Sequence, residues 1–263
     1  MRLIWEVAAR AFRRHLSYRA AALAGLVTNV FFGLLRAAVL VALYGERGSV
    51  AGLGLREAVT YTGLTQALIV FLSIFGWYEL MNAVHRGEIA ADLLKPMSLF
   101  SFWMAQDLGR AVAGLVLRGL PIMLIYALAL DLQGPGSAAR WAAVALSAAL
   151  GWLLSFAYRF LVNLAAFWSP DARGIGRLAF VVVMFLSGFL MPLRFFPDWV
   201  QAFAYLTPFP HMLNTVVEVY LGTLTGPALA GALLAQAAWA AGLIGLAHLV
   251  LGRATRRLVI LGG

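Results

Sequence analysis

Apolar runs long enough to cross a bilayer recur from one end of the 263-residue sequence to the other, and nothing else in it limits the fold as strongly. A helix needs about 20 consecutive apolar residues to traverse the roughly 30 Å hydrocarbon core. Such runs extend from about Ala20 to Tyr44, Ala58 to Met81, Phe102 to Leu130, Ala139 to Trp168, onward from near Ile175, and from Pro227 to Leu251. The chain is 63% hydrophobic and 12% charged, whereas soluble domains carry about 25% charged residues. The excess apolar surface therefore has to face lipid. The pattern predicts an all-α polytopic membrane protein with six transmembrane helices, folded as a single transmembrane domain over residues 1–263.

The pieces between the runs differ from one another. Residues 1–18 read as an interfacial helix, because Leu3, Ile4, Val7, Ala8, Ala11 and Phe12 recur at helical spacing with Arg10, Arg13 and Arg14 on the other side. This charged start and the length of the first run argue against a cleaved signal, so the first span is expected to be retained. The glycine-rich stretch Gly45 to Glu57 and the segment Asp131 to Gly136 are turns by composition, and Pro170 breaks the helix within Ser169 to Gly174. In residues 187–226, Pro192, Pro197, Pro208 and Pro210 punctuate aromatic-rich pieces too short to span, which predicts short interfacial or re-entrant outer helices before the last span.

Orientation follows from the basic residues. With the N-terminus inside, the inner segments hold Arg2, Arg10, Arg13, Arg14, Arg19, Arg86, Lys95, Arg110, Arg173, Arg177, Arg253, Arg256 and Arg257; the outer ones hold only Arg47, Arg56, Arg140 and Arg194. The positive-inside rule then puts both termini in the cytoplasm, with the chain multi-pass in a bacterial-type cytoplasmic (inner) membrane. The net charge of +9 sits mostly at span ends. Basic patches interleaved with aromatics on a soluble face are missing, so no nucleic-acid partner is expected.

Charges inside the runs are costly in lipid and should face the bundle interior, a wet cavity or a partner, or snorkel to an interface. They are Arg36, Glu79, Arg118 and Arg159. At about 1.5 Å per residue, Glu79 falls close to the inner boundary and Arg159 somewhat deeper on the same side, so the two are placed to pair. Arg36 and Arg118 fall nearer mid-depth or the outer leaflet without an obvious carboxylate. Either they snorkel outward or they line a path for an anionic or lipid-like substrate. Trp77, Trp103, Trp141, Trp168 and Trp199 lie near run ends, where interfacial anchoring is the ordinary role. Gly242 and Gly245, with Leu246 and Leu249, suggest close packing of the last helix.

The segment around residues 83–100 is too charged to lie in lipid and is expected on the cytoplasmic side. If Glu88 to Lys95 is helical, Glu88, Asp92 and Lys95 share one side, Ile89 and Leu93 share another, and Pro96 ends the helix. The alternative is a solvated loop capped by proline. The run Gly87-Glu88-Ile89-Ala90-Ala91-Asp92-Leu93-Leu94-Lys95-Pro96 is followed, in order and at matching depths, by Ser187-Gly188-Phe189-Leu190-Met191-Pro192, Phe196-Pro197-Asp198-Trp199 and Thr207-Pro208-Phe209-Pro210. Together these resemble the permease subunit of type-2 ATP-binding-cassette (ABC) transporters, an exporter-like class with a cytoplasmic N-terminal interfacial helix and six spans.

The resemblance covers essentially the whole chain. It implies that Arg86, Gly87, Glu88, Ile89, Asp92, Leu93, Lys95 and Pro96 couple to an ATPase subunit, and that Pro192, Phe196, Pro197, Trp199 and Pro208 shape an outer lid. It also implies two copies of an ABC ATPase subunit and a second copy of this chain or a homologous permease as partners, besides membrane lipid.

A chain that binds ATP in its own phosphate loop needs Gly-x-x-x-x-Gly-Lys-[Ser/Thr]. Here the only lysine is Lys95, preceded by Leu94. No cofactor is therefore expected on this chain, and ATP and magnesium fall to the partner subunit. Cysteine is absent, and His15, His85, His211 and His248 are scattered without a zinc-binding spacing. No Gly-x-Ser-x-Gly elbow occurs either. Taken with these absences, the resemblance implies a non-catalytic membrane subunit of an ATP-driven exporter. The alternative is a secondary transporter or channel working without ATP, though no internal repeat supports the layout many secondary transporters share.

Overall fold

The computed structural model describes residues 2–169 and 172–257. Pro170 and Asp171, in the expected turn at Ser169 to Gly174, lie outside the described residues. Helix accounts for 80% of the structure, as the apolar pattern requires.

The amphipathic N-terminus forms α1 (Arg2–Leu16), and an elbow at Ser17 and Tyr18 leads into α2 (Arg19–Tyr44). The glycine-rich turn holds a two-stranded antiparallel hairpin of β1 (Ser49–Val50) and β2 (Leu53–Gly54). Next come α3 (Leu55–Leu72), α4 (Glu79–His85) and the single-turn α5 (Ile89–Leu93). The Ser98 hydroxyl caps α6 (Leu99–Gly114) by accepting from the Ser101 amide (3.1 Å), and a π-helical turn at Leu115–Gly119 joins α6 to α7 (Leu120–Ala129). Ser137 likewise caps α8 (Ala138–Leu164). The chain continues through α9 (Ala172–Leu186), α10 (Asp198–Tyr205), α11 (Phe209–Met212), α12 (Asn214–Leu221) and α13 (Gly226–Ala254).

Among the described residues, four helices are long and apolar enough to cross a membrane: Arg19–Tyr44, Leu99–Ala129, Ala138–Phe167 and Gly226–Arg257. Large apolar side chains such as Leu23, Val27, Leu128, Leu234 and Leu249 stand exposed on their outer faces, an arrangement suited to lipid rather than water. The other two runs depart from single continuous spans. The run expected from Ala58 to Met81 is broken: α3 ends at Leu72, Ser73 adopts a left-handed φ of 51°, and helix resumes only at Glu79. The fifth run yields a 15-residue helix, α9. At about 1.5 Å per residue it is roughly 22 Å long, short of the bilayer core.

Small residues set the close approaches. α1 lies along α6, burying Ala8 and Ala11, and a Cβ at Gly109 would collide with the α1 backbone at Ala8 and Phe12. α13 lies along α8, and α11 and α12 pack on α8 as well. A Cβ at Gly151 would lie 2.6 Å from the Met212 carbonyl, so the segment after α10 reaches the middle of the 27-residue α8. Gln236 of α13 locks this junction: its amide donates to the Ser147 (3.1 Å) and His211 (2.8 Å) carbonyls, and its carbonyl accepts from the Ser147 hydroxyl (2.9 Å).

Two expectations are corrected here. Trp77 and Trp103 are buried and meet edge to face at 5.5 Å, because the break after α3 folds Trp77 back into the bundle. Trp141, Trp168 and Trp199 stay exposed. Gly242 and Gly245 do not mediate packing within this chain: among the described residues nothing lies within 4 Å of a Cβ built at either.

Candidate functional site

One end of the bundle is built from α1 and residues 83–100. Ile89 is fully buried against α6 and α8 and anchors α5, while Leu93 and Leu94 point out, Leu94 with 88% of its surface exposed. The helix at Glu88 to Lys95 is thus present but shorter than its pattern suggested. Leu93 lies one turn on from Ile89, on the same side of the helix, yet past the buried contact, and is 41% exposed. Lys95 pairs with Asp92 and sits 3.5 Å from the centre of the Phe102 ring; Arg86 reaches the Glu88 carboxylate at 3.8 Å. Gly87, at φ 75°, turns the chain between α4 and α5. Leu3, Val7, Arg10 and Arg14 of α1 face Lys95, Pro96 and Met97 across an open groove of about 330 Å³. The two amphipathic elements recognised in the sequence therefore form one continuous surface.

Directly above it lies a buried polar network, found only in part by reading the sequence. Arg159 of α8 donates to both Asp107 oxygens at 2.9 Å, and Arg110 donates to Asp107 at 2.8 Å; the Trp152 indole adds a fourth donor at 2.9 Å. Arg159 therefore pairs with Asp107 of α6, not with Glu79, whose side chain is exposed at the start of α4. The same network closes the break in the second run. Where α3 stops, its last carbonyls lose their helical donors. Arg110 donates to the Val70 (2.6 Å) and Phe71 (3.3 Å) carbonyls, and the Ser155 hydroxyl donates to the Leu72 carbonyl (2.7 Å). Asn163 serves the far side, donating to the Trp77 carbonyl (2.7 Å) and accepting from the Met81 amide (3.0 Å). Ser155, Arg159 and Asn163 are four apart, so they form one stripe along α8.

Chemically this is a brace. Both carboxylate oxygens are occupied, and the two guanidiniums share one carboxylate, leaving no acceptor free for a proton or a substrate. The positive Arg110 at the C-terminal end of α3 also complements the helix dipole.

On the opposite side, the proline-rich segment hangs from α3. The Tyr61 hydroxyl donates to the Gly188 carbonyl (2.6 Å) and lies 2.8 Å from Asn214 Oδ1; the Asn214 amide donates to the Tyr205 hydroxyl (2.9 Å). Arg194 pairs with Glu218 at 3.0 Å. Burial, then the adjacent Glu218 carboxylate, push the Tyr205 hydroxyl up from its ordinary pKa, so it stays protonated and donates to Glu218 (3.3 Å). Pro192 is buried, Phe196 and Pro208 are half-buried, and Pro197 and Trp199 are exposed.

The remaining charges resolve differently from one another. Arg36 neither snorkels nor stands free: it donates to the Phe189 carbonyl (3.2 Å) and its guanidinium lies 4.7 Å from the Phe189 ring centre, tying α2 to the proline-rich segment. Arg118 lies against Gly25, six residues into α2, which places it on the α1 side of mid-depth and not toward the far leaflet.

Long lipid-facing helices and a bundle whose interior polar groups brace a broken helix define a multi-pass, all-α membrane protein. The chain belongs to the ABC-2 family transporter proteins: that family's model matches residues 32–262. It is therefore a permease of an ABC transporter, a membrane transport component of a generally non-catalytic kind whose partner in general is an ABC ATPase. No match was found among curated proteins or among solved structures.

Proposed function

We propose that this permease is the membrane half of an ATP-driven exporter in a bacterial-type inner membrane, with both termini in the cytoplasm. Two ABC ATPase subunits, carrying ATP and magnesium, dock on the surface formed by α1 and residues 86–96. The observation that carries this reading is the shared groove between α1 and Lys95–Met97, next to the protruding Leu94. A solitary interfacial helix has no reason to abut that loop, whereas a docking partner needs both. Six crossings are supported if the broken α3–α4 pair and the short α9, extended by residues 187–196, each count as one. A re-entrant outer segment is supported by the depth at which Met212 meets α8. Two copies, or this chain with a homologous permease, enclose the path at their interface, since a bundle this small leaves little room for bulky cargo within itself. Pro192, Phe196, Pro197, Trp199 and Pro208 then belong to a lid over that path.

The test is to reconstitute the chain with its cognate ATPase in vesicles and compare Leu94→Asp with the parent. Substrate-stimulated ATP hydrolysis and export should both fall while membrane insertion is unchanged. Export driven by an ion gradient without ATP or the ATPase would overturn the proposal.

A further inference from the structure

Beside the elbow between α1 and α2 a groove of about 170 Å³ opens between α2 and α6, lined by His15, Tyr18, Ala22, Gly114, Leu117 and Arg118. It is smaller than the roughly 300 Å³ at which drug-sized pockets begin. Arg118 Nε is buried in it and has no hydrogen-bond partner among the described residues. Among the described residues, no carboxylate pairs with Arg118 either. The other arginine at the groove, Arg110, differs in this respect, because its N–H groups are taken by Asp107, Val70 and Phe71.

Three features hold Arg118 there. It sits in the π-helical turn Leu115–Gly119, a local geometry frequent at functional sites. Its guanidinium occupies the space that a side chain at Gly25 would fill. Gly25 is six residues past Arg19, so the charge lies about 9 Å inside the first residue of α2. An unpaired guanidinium at that depth is unfavourable and calls for an acceptor.

We propose that this groove binds the phosphate of an anionic phospholipid from the leaflet on the α1 side, with Arg118 as the anion-binding residue and Tyr18 at the mouth. The guanidinium fork matches phosphate oxygens, and every lateral opening of a bilayer presents phosphates at the elbow level without requiring a mate. The carboxylate at membrane depth in this chain, Asp107, is already saturated, so a second copy is the poorer source of an acceptor. The site does not rest on the transport reading.

The experiment uses the full chain in bilayer nanodiscs containing equal phosphatidylglycerol and neutral galactolipid, followed by extraction into maltoside and native mass spectrometry of retained lipid. The parent chain should retain phosphatidylglycerol over galactolipid, and Arg118→Gln should lower that retention about tenfold. Gly25→Ala, which removes no charge and displaces the guanidinium, should lower it as well and decides the matter if Arg118→Gln does not fold. Arg56→Gln, an exposed residue remote in sequence, should retain lipid as the parent does. Unchanged retention in Arg118→Gln or Gly25→Ala overturns the proposal. So does displacement of the lipid by excess inorganic phosphate, which would mark a free-anion site. Loss of self-association without loss of lipid would assign Arg118 to a second copy instead and equally overturn it.

Discussion

The Asp107 network makes a prediction whose size follows from its geometry. Asp107 is fully buried and accepts from four donors: two from Arg159, one from Arg110 and one from Trp152. In Asp107→Leu the Arg159 guanidinium stays buried without a counter-charge, and removing one partner of such a pair destabilises by about 3–5 kcal/mol. Arg159→Met should cost a comparable amount, because Asp107 then keeps only Arg110 and Trp152. The double variant replaces the charged pair by apolar groups, which in buried pairs is often near neutral. Arg110 retains its bonds to the Val70 and Phe71 carbonyls in that background, so the end of α3 stays capped. The double variant should therefore lose well under the sum of the singles, with a coupling energy of at least about 2 kcal/mol. The assay is reversible unfolding of the purified chain in mixed micelles of increasing dodecyl sulfate fraction, followed by far-ultraviolet helicity. Additive singles, within about 0.5 kcal/mol, would refute the idea that the network is sealed and mutually dependent.

Three further outcomes follow from other contacts. Gly109→Val should force α1 away from α6, read as faster hydrogen exchange along α1; unchanged exchange would refute the backbone contact. Asn163→Leu strands the Trp77 carbonyl and the Met81 amide, and at about 1–3 kcal/mol per buried unpaired group it should lower the unfolding midpoint more than Asn82→Leu, a half-buried site whose side chain meets only Arg173. Gln236→Leu leaves Ser147 and the His211 carbonyl without partners; it should destabilise by about 1–3 kcal/mol and raise hydrogen exchange in α11 and α12, while uniform exchange would show that the junction is held elsewhere.

Periodicity and hydropathy were sufficient where an element answers to its own residues. The expected span from Ala20 to Tyr44 emerges as Arg19–Tyr44, and the one from Pro227 to Leu251 as Gly226–Ala254, because length and apolar content decide such helices locally. The amphipathic α1 was legible for the same reason. The break between α3 and α4 was not: Ile74, Phe75 and Trp77 keep the hydropathy high through it. What ends α3 is the supply of donors from Arg110, Ser155 and Asn163, positions 39 to 86 residues away. The pairing of Arg159 was misread for a related reason, since depth along separate helices ranks Glu79 as a candidate, whereas packing brings α6 to α8 and with it Asp107, 52 residues distant.

One signal was nevertheless present. Ser155, Arg159 and Asn163 recur every fourth residue in a helix otherwise apolar on that face, and polar groups at such spacing inside a span have to satisfy something. In lipid, backbone left open by a broken helix is tolerated only where protein groups complete it. A polar stripe in one span therefore implies non-helical backbone in a neighbour. Here that neighbour lies between the element bearing Ile89 and Leu94 and the element bearing Tyr61, which holds the proline-rich segment. α4 is tied to α8 through Asn163, α3 to α6 through Arg110, and the proline-rich segment to α3 through Tyr61. The hydrogen bonds at the break thus join the end of the bundle bearing Ile89 and Leu94 to the proline-rich segment.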